Sequence, residues 1–184
     1  MALTYSTKLD IGIPAPDFQL PGTDGETYSL ASFAPAPALV VVFTCNHCPY
    51  ARAIEDRLIA TAQAYQPRGA QFVAISANDA QNYPDDSFEK MQERAHSKNY
   101  PFPYLYDESQ AVAKAYDAVC TPDLYIFDAE RKLVYHGRFD DNWKESSQVT
   151  RKDLELALEE VLAGKPVSFD QLPSMGCNIK WRAA

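Results

Sequence analysis

VVVFTCNHCPYARAIEDRL, running from Val40 to Leu58, decides how this chain is read. Four apolar residues lead into Cys45 and Cys48, which are separated by Asn46 and His47. The continuous run Leu39 to Phe43, rich in Val, predicts a central strand buried on both faces. After Pro49, apolar residues at Ala51, Ile54, Leu58, Ala62 and Tyr65 return at helical spacing until Pro67 and Gly69 stop them. Two thiols therefore stand where a buried strand gives way to a helix. The first turn of a helix presents unpaired N–H groups and the positive end of the macrodipole, and both favour a thiolate. CxxC spacing lets the second sulfur reach the first, and such pairs hold a nucleophile below the free-thiol pKa of about 8.5. Position makes Cys45 the expected exposed nucleophile with the lower pKa. Cys48 is then the partly buried thiol that resolves the mixed disulfide. His47, cationic part of the time, is expected to lower Cys45 further, and Pro49 suits the first helical turn.

Outward from this stretch, residues 22–33 (GTDGETYSLASF) read as a hairpin turning at Asp24-Gly25. Phe72 to Ile75 reads as a second buried strand. Asp86, with Glu89 three residues on, reads as the N-cap of a helix whose stripe is Phe88, Met91 and Ala95. A short strand at 104–106, a short helix at 110–116 and a hairpin of 124–127 with 133–136 follow. In the last helix Thr150 and Asp153 make a capping box, Leu154, Ala157, Leu158, Val161 and Leu162 form the stripe, and Gly164 with Pro166 closes it. This order predicts an α/β sandwich: a mixed central sheet with helices on both faces and an N-terminal β-hairpin. One domain is expected over 1–184, with 165–184 as a C-terminal tail packed on it.

The 184 residues are 46% hydrophobic and 23% charged, as in an ordinary globular protein. A formal net charge of -8 argues against nucleic acid or an anionic membrane surface as partner. The N-terminal stretch has no basic region leading into an apolar one, and the apolar run Ala34 to Phe43 is too short to span a bilayer. A cytoplasmic location is expected. In a reducing compartment the four cysteines point to catalysis or metal binding rather than to structural disulfides. Zinc usually takes four ligands, and Cys120, Cys177, His96 and His136 are singletons, which favours a redox pair over structural zinc. Haem attachment needs His after the second cysteine, where Pro49 stands. Thr121-Pro122 heads a strand, and residue statistics alone favour a trans bond there. Alternation turns Cys120 away from Thr121, which favours core packing for it. Cys177, in the tail, is either a further redox partner or an anchor. Asp140, Asp141 and Asn142 read as a solvated turn in preference to a binding loop.

CxxC at a strand–helix junction, then Thr-Pro heading a hairpin, then a helix, resembles the thioredoxin superfamily. IGIPAPDFQLPGTDGETYSLASF is similar to the redoxin branch, which includes the alkyl hydroperoxide reductase/thiol-specific antioxidant proteins. FTCNHCPY, NDAQNYPDDSFEKM, TPDLYIFD, YHGRFDDN and MGCNIKW resemble the peroxiredoxin-like group of thioredoxin-fold proteins, so the likeness runs from about Ile11 to Trp181. The resemblance implies a thioredoxin-like three-layer sandwich and an active-site pair at Cys45 and Cys48. It also implies a cis proline at Pro122, with the Thr121 backbone pairing with the bound substrate chain. Two departures stand out. Peroxiredoxins carry a threonine three residues before the peroxide-reacting cysteine, and with Cys48 in that place Cys45 occupies the threonine position. Leu39 to Phe43 also lacks the buried carboxylate of thioredoxin. The expected activity is thiol–disulfide exchange, with Thr121 and Pro122 binding substrate and Cys120 and Cys177 as candidates for additional redox roles. Expected substrates are a disulfide-containing protein or a small thiol or disulfide. Electrons would come from a thioredoxin or glutathione system, with no organic cofactor and no metal. The alternatives are a thiol-dependent peroxidase, or a copper or zinc protein using Cys45, His47 and Cys48 as soft ligands.

Overall fold

The structure, a computed structural model, describes residues 3–183. The chain begins with β1 (Leu3–Tyr5), β2 (Gln19–Pro21), β3 (Thr27–Ser29) and β4 (Ala38–Phe43), followed by α1 (Pro49–Tyr65). Then come β5 (Ala70–Ser76), α2 (Phe88–Lys98), β6 (Tyr104–Tyr106) and α3 (Ala111–Ala115). It closes with β7 (Cys120–Thr121), β8 (Asp123–Asp128), β9 (Leu133–Gly137), α4 (Asp153–Leu162) and β10 (Met175–Asn178).

Every residue of β4 is buried, because the strand has a protein layer on each side. Alternation sends Val40 and Val42 toward Ile54 and Leu58 of α1, Met91 of α2, and Leu154 and Leu158 of α4. Leu39, Val41 and Phe43 point the other way, against Val112 and Ala113 of α3 and Phe18, Leu20 and Phe33 from the N-terminal segment. Each such side chain contributes about 1.5–3 kcal/mol on leaving water. β4 pairs parallel with β5 and antiparallel with β8, in a five-stranded sheet of order β6-β5-β4-β8-β9. This is the expected thioredoxin-like sandwich, a mixed sheet with helices on both faces.

Three local readings are corrected. The N-cap of α2 is Ser87, whose hydroxyl accepts the Lys90 N–H, while Asp86 is fully buried and turned elsewhere. The Thr150–Asp153 capping box does not form: Thr150 donates to Asp141, and buried Asp153 holds Arg138 and Arg151 instead. A carboxylate inside the fold gains more from two guanidinium partners than from one backbone N–H. The N-terminal hairpin turns where expected, with Gly25 at φ 90, but its first strand lies earlier, and 30–33 coils into a short 3-10 turn that carries Phe33 into the core.

The tail crosses the molecule as β10, antiparallel to β1 on one edge and to β7 on the other. Cys177 faces Leu3 on one side and Thr121 on the other. A Cβ on Gly176 would lie 1.9 Å from the Thr121 carbonyl oxygen, so only glycine lets β10 approach β7 this closely. Among the described residues no helix is long and apolar enough to cross a membrane.

Candidate active site

Cys48 is the N-cap of α1, with Pro49 in the first turn behind it. Cys45 stands near the start of the loop that leaves β4, two residues past Phe43. All four cysteines are thiols; Cys45 is 4% exposed and Cys48 0%. The Thr121–Pro122 peptide is cis, as the resemblance implies and against the residue statistics. It brings Thr121 to both sulfurs. Cys45 Sγ lies 3.6 Å from the Thr121 hydroxyl, and a protonated Cys48 Sγ has the Thr121 carbonyl 3.0 Å away as acceptor.

The two thiols differ in charge, and the difference reverses the expectation. A hydrogen bond from Cys45, against the cost of burial, and further ones from the Thr121 hydroxyl, the Ala51 N–H and Cys177 bring the Cys48 pKa down to about 4. Cys45, the donor in that shared bond, is buried and faces the Asp86 charge, and it is held well above its ordinary value. Charge is thus favoured on Cys48 and opposed on Cys45. The Cys45 thiol is the main cause, and the helix start adds to it: Cys48 is the N-cap and Cys45 lies three residues outside it. Cys45 is not the exposed thiol expected: both thiols are buried, and at 4% against 0% it is only marginally the more accessible.

Asp86 is the residue that sequence reasoning missed. Its Oδ1 accepts from the Asn46 N–H at 2.7 Å and the His47 N–H at 3.2 Å. Its Oδ2 accepts from Asn78 Nδ2 at 2.8 Å and faces His47 Nδ1 at 2.5 Å. Asn46 is tied down in turn, donating to the Asp85 carbonyl and accepting from the Tyr104 hydroxyl. The His47 ring stacks on Tyr83, 5.3 Å between centroids. The loop between the cysteines is thus built around one buried carboxylate. His47 Nδ1 is 3.9 Å from Cys45 Sγ, yet the neighbouring charge of Asp86 pushes Cys45 up, against the lowering expected of His47. The only signal was the pair itself: Asp86 and Ser87 are both N-cap types, and whichever does not cap that helix is left for another task.

The remaining candidates separate clearly. Cys177 packs with Cys45, Cys48 and Ala51, and burial and its hydrogen bond to Cys48 push its pKa up to about 12. Cys120 is buried with its S–H turned to the Pro122 carbonyl at 3.7 Å, and burial pushes its pKa up. The Thr121 backbone is not an open docking edge, because Cys177 of the same chain is its register partner. What Thr121 offers the dithiol is its hydroxyl. Pro122 borders a small hollow with Cys45 and also a larger cavity of 480 Å³ that includes Ile54, Asp140 and Trp143. Asp140 is accordingly no solvated turn residue: it is buried and paired with Arg57, which also donates to the Asn142 and Trp143 carbonyls. His136 is buried against Asp123 at 2.9 Å, away from the dithiol cluster. For a metal, the donor atoms that cluster within 4.8 Å are those of Cys45, His47 and Asp86, with Asp86 in the place expected for Cys48.

The chain is similar in sequence and fold to known proteins. Among solved structures, a hypothetical protein of Sinorhizobium meliloti is 46% identical with a TM-score of 0.94, the alignment covering 98% of this chain and 100% of the other. An uncharacterized conserved protein of Geobacillus kaustophilus is 44% identical with a TM-score of 0.95, covering 100% of this chain and 98% of the other. The thioredoxin domain of a thiol-disulfide oxidoreductase of Bacteroides vulgatus shares the fold, at 20% identity and a TM-score of 0.59 over 70% of this chain and 89% of the other. No curated protein matches the sequence. Residues 11–136, which carry the dithiol, Asp86 and the cis proline, match the AhpC/TSA family, and over that majority of its length the chain belongs to this family of thioredoxin-like redoxins.

Proposed function

We propose that the protein is a thiol–disulfide oxidoreductase whose working unit is the Cys45–Cys48 pair. The observation that carries this reading is the packing of the two thiols in one buried cluster at the start of α1, beside the cis Thr121–Pro122 peptide. Cys45 is the sulfur nearer the surface. Exchange begins when its proton passes along the shared bond to Cys48, leaving a Cys45 thiolate of high intrinsic nucleophilicity. That thiolate attacks a substrate sulfur and expels the other as a thiolate. Cys48, its proton released, then attacks Cys45 in the mixed disulfide, frees the second substrate thiol and closes the Cys45–Cys48 disulfide. A thioredoxin or glutathione system of the cytoplasm returns the electrons.

The substrate reaches Cys45 past Pro122. Its bulk rests in the 480 Å³ cavity against Ile54 and Trp143, a volume suited to a small molecule. An extended polypeptide is disfavoured, because β10 already fills the edge of Thr121.

The test compares reduction of a small aromatic disulfide and of insulin by the wild type and by Cys45→Ser and Cys48→Ser. Loss of both activities in both variants, with the small disulfide preferred in the wild type, supports the proposal. A mixed disulfide trapped on Cys48 in Cys45→Ser reverses the roles. Unimpaired reduction in either variant refutes the pair. The second reading, metal binding, is favoured by the clustering of Cys45, His47 and Asp86 donors. Zinc or copper retained stoichiometrically after purification without added metal, and lost in His47→Ala, would establish it.

A further inference from the structure

Cys177 is unused in this mechanism, and its surroundings are specific. β10 is held on both edges, by β1 and β7, and Gly176 allows it to press against the Thr121 carbonyl, the group that also faces Cys48. Across the β7–β10 pair Cys177 stands directly opposite Thr121, so both side chains fall on the same face of the ladder, the face of the dithiol. Cys177 is 2% exposed and packs with Cys45, Cys48 and Ala51. Cys48 thus shares one packed cluster with both other thiols.

We propose that Cys177 is a third redox thiol, which takes the disulfide from the Cys45–Cys48 pair by exchange at Cys48. The proposal rests on the oxidoreductase reading for the first disulfide and adds one step. The Cys177 thiolate attacks Cys48 Sγ, the Cys48–Cys177 bond forms, and the Cys45–Cys48 bond breaks with its electron pair leaving on Cys45. The proton lost by Cys177 ends on Cys45, so the step is a balanced isomerisation that needs no further oxidant. It returns Cys45 to its reduced form while the oxidising equivalent is stored on Cys48 and Cys177. The order of events is built in. While Cys48 is a thiolate, its charge and hydrogen bond help hold Cys177 protonated, together with burial. Once Cys48 enters a disulfide that charge is gone, and Lys180 favours the Cys177 thiolate.

The experiment oxidises the reduced full chain with oxidised glutathione in graded amounts, quenches with acid and N-ethylmaleimide, and maps disulfide-linked peptides by mass spectrometry. A Cys48–Cys177 link is expected in the wild type beside Cys45–Cys48, and it should be strongly reduced in Cys45→Ser, which cannot form the first disulfide. Circular dichroism confirms that the variant is folded, and wild-type mapping stands without it. Complete alkylation of Cys177 at every oxidant level, while Cys45–Cys48 forms normally, overturns the relay and spares the oxidoreductase reading. No Cys45–Cys48 link in the wild type overturns that reading instead, and with it the relay as a route for its disulfide. Cys177→Ser should retain the Cys45–Cys48 link and lose the second link entirely; persistence of a second Cys48 link would assign it to Cys120 and refute Cys177.

Discussion

A buried thiolate makes stability depend on pH, and one substitution isolates its share. In the unfolded chain Cys48 titrates near its ordinary value of 9.0; in the fold it titrates at about 4. A depressed folded pKa gives stability that is fully present above the unfolded value and is lost as pH falls through the folded value. Between the two, the native state binds one proton fewer than the unfolded chain. Each pH unit in that window therefore adds about 1.4 kcal/mol to the free energy of unfolding. Cys45 works in the opposite sense but in another range. Its raised pKa keeps it protonated in the fold above pH 9.0, where the unfolded thiol ionises, so stability falls there. From pH 5 to 8 only Cys48 contributes among the pair.

The perturbation is Cys48→Ala, and the assay is urea unfolding at several pH values from 5 to 8 with a phosphine reductant. Carboxylate and histidine titrations common to both proteins cancel in the difference. The advantage of the wild type over the variant should widen by roughly 4 kcal/mol across those three units, at about 1.4 kcal/mol each. A packing loss of about 1 kcal/mol for the removed sulfur would be constant and only offset the line. A difference flat within about 0.5 kcal/mol over this range, well below the linkage slope, would falsify the assignment of the resting charge to Cys48.

Asp86→Asn should destabilise the fold by about 2–3 kcal/mol, since four charge-assisted contacts to the CxxC loop and Asn78 become neutral or are lost. The same change should speed Cys45 alkylation at fixed pH by removing a charge that opposes its thiolate; unchanged stability together with slower labelling would contradict it. Gly176→Ala should cost about 3 kcal/mol or more, because the new Cβ would sit 1.9 Å from a backbone oxygen, and an unaltered thermal midpoint would show that β10 is not pressed on β7. Hydrogen peroxide should oxidise the reduced protein no faster than an unassisted thiolate, because Cys45 stands where a peroxide-orienting threonine is expected. Stopped-flow rates far above that level would promote the peroxidase reading.

The fold was legible because its signals are local and redundant. β4 reads as buried from five apolar residues in a row, and α1 from its spacing and its closing Pro67-Gly69 pair. The turn at Asp24-Gly25 is specified by a glycine that adopts positive φ. The failures occurred where two local rules competed for one residue. Asp86 and Ser87 are both good N-caps, and sequence offers no way to weigh them; the fold decides, because a carboxylate beside three N–H donors outweighs one helix N–H. Thr150 and Asp153 failed in the same way, drawn off by Asp141, Arg138 and Arg151.

The site was legible as a pair but not as a charge distribution. That two thiols would meet follows from CxxC spacing alone. Which of them carries the charge depends on partners that lie far along the chain: Asp86 some 40 residues on, Thr121 beyond 70, and Cys177 in the tail. Each acts through space: Asp86 and Cys177 bias the proton toward Cys45, while the Thr121 side chain favours charge on either sulfur. Asp86 opposes charge on Cys45, while Thr121 and Cys177 offer hydrogens to Cys48. A residue such as His47, placed between the cysteines in sequence, looks like the natural tuner, yet its ring nitrogen is committed to Asp86. Proximity in sequence therefore misjudged the sign at Cys45. The same reasoning explains why the role of Cys177 stayed open in the sequence: β10 pairs with strands at positions 3–5 and 120–121, two of the shortest elements among the described residues, and neither announces an open edge. Their union closes that edge and brings Cys177 to the one sulfur that is already charged.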